Sequence, residues 1–234
     1  MITAILLDYG NVLGYPASGN WFLPPSARKI VGAGNSVRLA ANAAKLDVSL
    51  AAAKRFLNEN GNHRLYDEAE EVAQFTEFFR RIAAGLGVRL NVEICEKLAH
   101  EHVYSNAAQL FYPDVLPTIR TLKERYKVGI LSDTWPSLRR RLTNAGIMSH
   151  LDSLTMSCDY GFTKENPRLF EHAVEAIDEP PESILFVDDM EANLRNARSI
   201  GLHAVRMDRG GTVQSSEFTT IRGLDELAAI AASL

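Results

Sequence analysis

Cysteine is scarce: there are two in 234 residues, Cys95 and Cys158. No metal-ligand spacing links them, and two isolated cysteines do not make a disulfide framework. Both read as small buried hydrophobes in a reducing compartment. A basic excess is also missing. With 25 Lys and Arg against 29 Asp and Glu, the net charge is −4, which offers nucleic acid or an anionic membrane no general attraction. No stretch approaches the ~20 apolar residues of a membrane helix. The start, MITAILLDYG, has neither a basic region nor a long apolar run, so it does not read as a signal peptide. No internal repeat or low-complexity linker is visible. We expect a cytoplasmic protein, monomer or homodimer, without nucleic-acid or membrane partners. What remains is ordinary: 46% hydrophobic and 23% charged residues describe a globular chain, long enough for one large domain or a domain with an insertion.

Residues 3–8 form a continuous apolar run that stops at Asp8, the pattern of a buried parallel strand. The next strand signal is KVGILS, 127–132. Between them the chain reads as helical. SLAAAKRFLNENG has Ser49 as a plausible N-cap and Gly61 as a stop; EEVAQFTEFFRRIAAGLG places Val72, Phe75, Phe79 and Ile82 at helical spacing; VEICEKLAHEHVY is a third amphipathic stretch. After residue 112 a helix with Val115, Ile119, Leu122 and Tyr126 on one face leads into alternating strands and helices. The strands are 127–132, 153–157, 183–188 and 203–207, and a last helix closes the chain. Such alternation implies a doubly wound parallel α/β sheet. We therefore expect an α/β core made of 1–14 and 112–234, with 15–111 inserted as a helical domain after the first strand.

Asp8, Ser132, Lys164 and the pair Asp188-Asp189 stand at or just beyond expected strand ends, and ligands bind at that edge of an α/β sheet. Asp8 suits a carboxylate nucleophile. Ser132 offers a hydroxyl and a backbone N–H to a phosphate oxygen. Lys164 supplies positive charge, and the three aspartates make a hard-oxygen set suited to Mg²⁺. Each has a plainer reading taken singly: a strand-end turn residue, an N-cap, a solvated lysine, and acids at a helix start. Arg139, Arg140 and Arg141 read as a solvated helix face, and Arg209, before Gly210-Gly211, as a loop charge. His63, His100 and His102 carry no metal-ligand motif. Trp21, Phe22, His63 and Arg64, in loops of the insertion, are candidates to face the site.

Four motifs carry a resemblance to the haloacid-dehalogenase-like hydrolase superfamily: Asp8-Tyr9-Gly10-Asn11-Val12-Leu13, Ser132 in ILSDT, Lys164 in GFTKENPRLF, and the acidic pair in FVDDMEANLRNARSIG. The helical insertion resembles that family's cap domain. The resemblance implies Asp8 as nucleophile; Asp8, the Gly10 carbonyl, Asp188 and Asp189 as Mg²⁺ site; and Gly10, Asn11 (through its backbone N–H), Ser132, Asp133 and Lys164 around the phosphate, with Ser132 and Lys164 also catalytic. It implies a Mg²⁺-dependent phosphatase acting on a small phosphorylated metabolite, sugar phosphates among them, through an aspartyl-phosphate. Three positions depart from the pattern. Many of the family's phosphatases have an acid-base aspartate where this chain has Gly10, although a sugar-phosphatase-like subfamily reads DxGNV, as here. Asp133 replaces a frequent Asn, and is read as a cap of the next helix or a substitute acid. Glu165 replaces the Pro after the lysine. A 2-haloacid dehalogenase, which needs no proton donor, and a catalytically reduced binding protein stay open as alternatives.

Overall fold

The computed structural model describes residues 1–59 and 63–234. In chain order come β1 (Ala4–Leu7), β2 (Gly14–Pro16), α1 (Ala27–Val31), α2 (Ala33–Ala41), α3 (Leu46–Asn58), α4 (Glu68–Gly85), α5 (Val92–Tyr104), β3 (Gln109–Phe111), α6 (Val115–Leu122), β4 (Lys127–Ser132), α7 (Ser137–Asn144), β5 (Ser153–Met156), α8 (Ser157–Tyr160), α9 (Arg168–Ile177), β6 (Ile184–Asp188), α10 (Glu191–Ser199), β7 (His203–Met207), β8 (Thr220–Ile221) and α11 (Leu227–Ser233). The chain divides into two compact units. One contains Met1–Tyr15, Phe111–Thr134 and Leu138–Leu234; the other contains Pro16–Leu110 with Trp135–Ser137. Among the described residues no helix is long and apolar enough to cross a membrane, and neither Cys95 nor Cys158, both buried, is in a disulfide.

The first unit is the expected doubly wound α/β fold. Its six-stranded sheet has the order β5-β4-β1-β6-β7-β8, and the strand pairs are parallel. Every residue of β1 and β6 is buried, which is why both read as unbroken apolar runs rather than alternating ones: helices cover both faces. Leu6, Leu131, Phe170, Phe186 and Leu194 belong to one core cluster. The chain leaves β1 toward β4 and β5, then returns to the other side of β1 for β6, β7 and β8. The order therefore reverses between β1 and β6, and such a switch point opens a crevice beyond the strands' carboxyl ends. Register puts Leu7 opposite Val187, so Asp8 and Asp188 leave the sheet side by side. Strand β8 and the two-stranded β2-β3 sheet are too short to show a period in the sequence.

The second unit is helical. Its core gathers Phe75, Phe78, Phe79, Ile82, Leu98 and Val103. Asp67 caps α4 by accepting from the Glu70 N–H, and Asn91 caps α5 by accepting from the Glu93 N–H. Helix α4 ends where Gly87, at φ 73, turns left-handed. The Gly87 N–H then bonds the Ala84 carbonyl and the Val88 N–H that of Ala83, closing the helix end. Ser49 is not an N-cap: α3 begins at Leu46, and Ser49 is a buried residue inside it, where Gly85 leaves room for its side chain. The expected stop at Gly61 lies outside the described residues. Phe22 packs against Phe78 with its ring tilted by 33°, and the Trp135 indole N–H donates to Gln74.

Candidate active site

Four loops at the carboxyl edge of the sheet build the site within the α/β unit. Asp8 follows β1, Ser132 closes β4, and Asp188 closes β6 with Asp189 next. Lys164 does not stand at a strand end: β5 stops at Met156, and α8 and a turn carry the chain to Lys164. Its side chain is 2% exposed, and Nζ donates to Asp8 Oδ1 at 2.7 Å and to Asp188 Oδ2 at 2.5 Å. The Lys164 backbone is held on both sides. Its N–H donates to Asp133 Oδ1 at 2.9 Å, and its carbonyl accepts from Asn196 Nδ2 at 2.8 Å. Asp133 therefore positions Lys164 and does not cap the following helix, which starts only at Ser137.

Asp188 is fully buried, and both its oxygens accept hydrogen bonds. Besides Lys164 it accepts from the Met190 N–H and from Asn193 Nδ2. Asp189 Oδ2 accepts from Asn11 Nδ2 at 2.8 Å. One carboxylate oxygen from each of Asp8, Asp188 and Asp189 lies within 4.8 Å of the others. Burial raises the Asp8 carboxyl to about 7, with Asp188 adding to the rise and Lys164 opposing it. Burial also raises Asp189, against the pull of the Asn11 amide. For Lys164 burial alone would pull the pKa down, but Asp8 and Asp188 outweigh it and the net shift is upward. Three carboxylates against one ammonium leave the cluster short of positive charge. A divalent cation with hard-oxygen preference fits such a donor set.

The loop after β1 closes on itself. The Leu13 and Gly14 N–H groups donate to the Tyr9 carbonyl, and the Asn11 N–H donates to the Gly14 carbonyl. Asn11 takes φ 55, a left-handed conformation uncommon outside glycine but tolerated by asparagine. A Cβ on Gly14 would meet the Tyr9 ring at 2.5 Å, so glycine leaves the ring its place. The Asn11 N–H, expected to face a phosphate, is engaged by the Gly14 carbonyl within the loop, and its side chain serves Asp189. Gly10 lies on this loop, bridged to Gly14.

A model of the "haloacid dehalogenase-like hydrolase" family matches residues 4–201. The chain belongs to this family. It is 28% identical over 222 residues to the glyceraldehyde 3-phosphate phosphatase of Methanopyrus kandleri, covering 90% of this chain and 85% of that protein. Among solved structures, the L-2-haloacid dehalogenase from Xanthobacter autotrophicus superposes over 100% of both chains with TM-score 0.69 and 16% identity. The putative hydrolase YfnB from Bacillus subtilis bound to magnesium superposes over 98% of both with TM-score 0.67 and 16% identity. At those identities the structures speak for the fold alone, and one fold serves several chemistries. Membership makes this chain an enzyme, a hydrolase.

Sequence reasoning left out or misread several residues of this hydrolase. Asn193 and Asn196, on successive turns of α10, bind Asp188 and the Lys164 carbonyl; the fourth motif has an asparagine downstream of the acidic pair, but the sequence names no partner for it. Arg141 is buried, 4% exposed, and not part of a solvated face, because α7 turns it inward. Arg209 is not a loose loop charge. It donates to the Val12 carbonyl and to Asp114.

Proposed function

We propose that this hydrolase is a Mg²⁺-dependent phosphatase that acts on a small phosphorylated metabolite, with Asp8 as the nucleophile; sugar phosphates are one candidate class. The observation that carries the reading is the convergence of Asp8, Asp188 and Asp189 with Lys164 bound between two of them. Dehalogenation has no use for a cation, so a tri-aspartate set favours phosphoryl chemistry. The named relative acting on glyceraldehyde 3-phosphate supports the same class. Asp8, the Gly10 carbonyl, Asp188 and Asp189 would hold Mg²⁺, which when bound neutralises charge on the phosphoryl group and leaving oxygen. The inserted segment 15–111 would act as a cap over substrate, with 1–14 and 112–234 as the catalytic core.

The chain's own residues divide the work. A carboxylate oxygen of Asp8 bonds to phosphorus as the bond to the leaving oxygen breaks; water then cleaves the acyl phosphate, releasing phosphate and restoring the carboxylate. Lys164 opposes the rise that burial imposes on the Asp8 carboxyl and so favours its ionised form. Two of its three N–H groups serve aspartates, which leaves one for a phosphoryl oxygen. Ser132 through its hydroxyl and Asp133 through its backbone N–H would complete the phosphate contacts, the Asp133 carboxylate being held by the Lys164 N–H. Gly10 supplies no proton to the leaving oxygen, and such a group commonly contributes about 10²–10⁴-fold. Turnover should therefore favour phosphates with acidic leaving groups, such as aryl or acyl phosphates, over simple alkyl esters. Phosphate release from a metabolite panel tests the reading. EDTA should abolish it, and Asp8→Asn should lower it by on the order of 10⁴-fold or more. Halide release from 2-haloacids in EDTA, or no phosphoester turned over with Mg²⁺, overturns it.

A further inference from the structure

Arg209 lies two residues beyond β7, at the same sheet edge as the aspartates, and its side chain is 12% exposed. Its guanidinium joins three separate parts of the α/β unit. Nη2 and Nε donate to the Val12 carbonyl at 2.8 and 3.3 Å. Nη1 donates to Asp114 Oδ2 at 2.6 Å, and that oxygen also accepts from the Leu224 N–H at 3.1 Å. The planar group lies 4.2 Å over the Tyr112 ring, and the Tyr112 N–H donates to the Leu13 carbonyl. Arginine suits this place because its fork serves two acceptors in one plane while stacking on an aromatic face.

Val12 follows Asn11, the one loop residue held left-handed, and Asn11 gives its side-chain amide to Asp189. A strained backbone conformation persists only where its surroundings over-determine it. The turn's own hydrogen bonds run from Tyr9 to Gly14 and bracket Asn11; Arg209 is the side chain that anchors this turn, through the Val12 carbonyl, to the segment after β7. We propose that Arg209 is a positioning residue: by clamping the Val12 carbonyl it holds Asn11 where its amide orients Asp189 for the cation. This deepens the phosphatase reading and rests on it. Partners of metal ligands, when removed, typically cost about 10–100-fold in metal affinity or activity, and Arg209 would act one link further out, through Asn11.

The test compares wild type with Arg209→Lys, which keeps the charge without the fork, Arg209→Met, Asn11→Ala, and the Asn11→Ala/Arg209→Met double variant. Mg²⁺ affinity is read by calorimetry and by the Mg²⁺-dependent rise in Tm, separately from kcat and KM on an active phosphoester. We expect both Arg209 variants to weaken Mg²⁺ binding and to lower kcat by about 10-fold or more, with KM within about threefold. The double variant should be no worse than the poorer single variant, because both changes act through Asp189. Unchanged Mg²⁺ affinity in Arg209→Lys and Arg209→Met, or losses that multiply with Asn11→Ala and track only a lower Tm, overturn the proposal. Failure of the wild type to hydrolyse any phosphoester would overturn the phosphatase reading instead, while the Mg²⁺ titrations would still decide the role of Arg209.

Discussion

In the α/β unit Lys164, Asp8 and Asp188 are buried together, and each is paired with another of the three. In the helical unit His63 is 6% exposed, and both its ring nitrogens lack a hydrogen-bond partner among the described residues. Its ring lies edge-on to Trp135, with centroids 6.5 Å apart. The core of this unit is largely hydrocarbon: Phe75, Phe78 and Phe79 pack edge-on or tilted against one another. The first unit pairs the buried charges of Lys164, Asp8 and Asp188 at one sheet edge. The second holds together by apolar packing, and buried polarity is a cost to it unless paired, as Glu71 is by the Ser137 N–H and hydroxyl. A buried charge is tolerable only with its partner, and a buried neutral imidazole only while it stays neutral.

That contrast can be broken at three points. Lys164→Met should have the largest effect on folding, because it leaves Asp8 and Asp188 buried without their counter-charge. We expect a loss of about 3–5 kcal/mol in denaturant unfolding without divalent cation. A loss below about 1 kcal/mol would mean that the ammonium does not hold the sheet edge together. His63 comes next. Burial lowers its pKa from 6.5 to about 4. The unfolded chain therefore takes up a proton on His63 as pH falls through 6.5, whereas the folded chain does so only near 4. Its contribution to stability is full above pH 6.5, shrinks on acidification and is gone by about pH 4. At 1.36 kcal/mol per unit this amounts to about 3 kcal/mol. His63→Phe should remove that part of the acid sensitivity, measured as the difference in unfolding free energy between pH 7 and pH 4. An identical difference in the variant would refute the assignment. Asn91→Ala, which deletes the cap of α5, should cost about 1 kcal/mol and raise amide exchange in the first turn of that helix, with phosphate release unaffected.

Legibility in the sequence followed the same division. Strands β1, β4 and β6 could be read because burial on both faces makes an apolar run, and the aspartates because an acid that ends such a run stands out. The long helices of the second unit showed in their 3.6-residue period. Helices α1 and α2 did not, and Ser49 misled because a serine before alanines resembles a cap even in the middle of a helix. Lys164 was legible as a residue but not as a place: the α8 turn between it and β5 is four residues long and carries no period. Arg209 and Arg141 were invisible because an arginine's partners depend on which distant carbonyl or carboxylate the fold brings within reach. Arg209 and Val12 are 197 positions apart.

By itself the amino-acid order determined the alternation of strands and helices, hence the α/β class, and the kinds of side chain that end the central strands. Periodicity and apolar runs are local properties, and local properties survive in a string of letters. Only the tertiary structure decided that β1 and β6 are neighbours, that Lys164 bridges their two terminal carboxylates, that the Asn11 N–H closes its own loop, and that Arg209 grips that loop from the far side of the sequence. Those are pairings between segments remote along the chain, and they come into being only when the core packs.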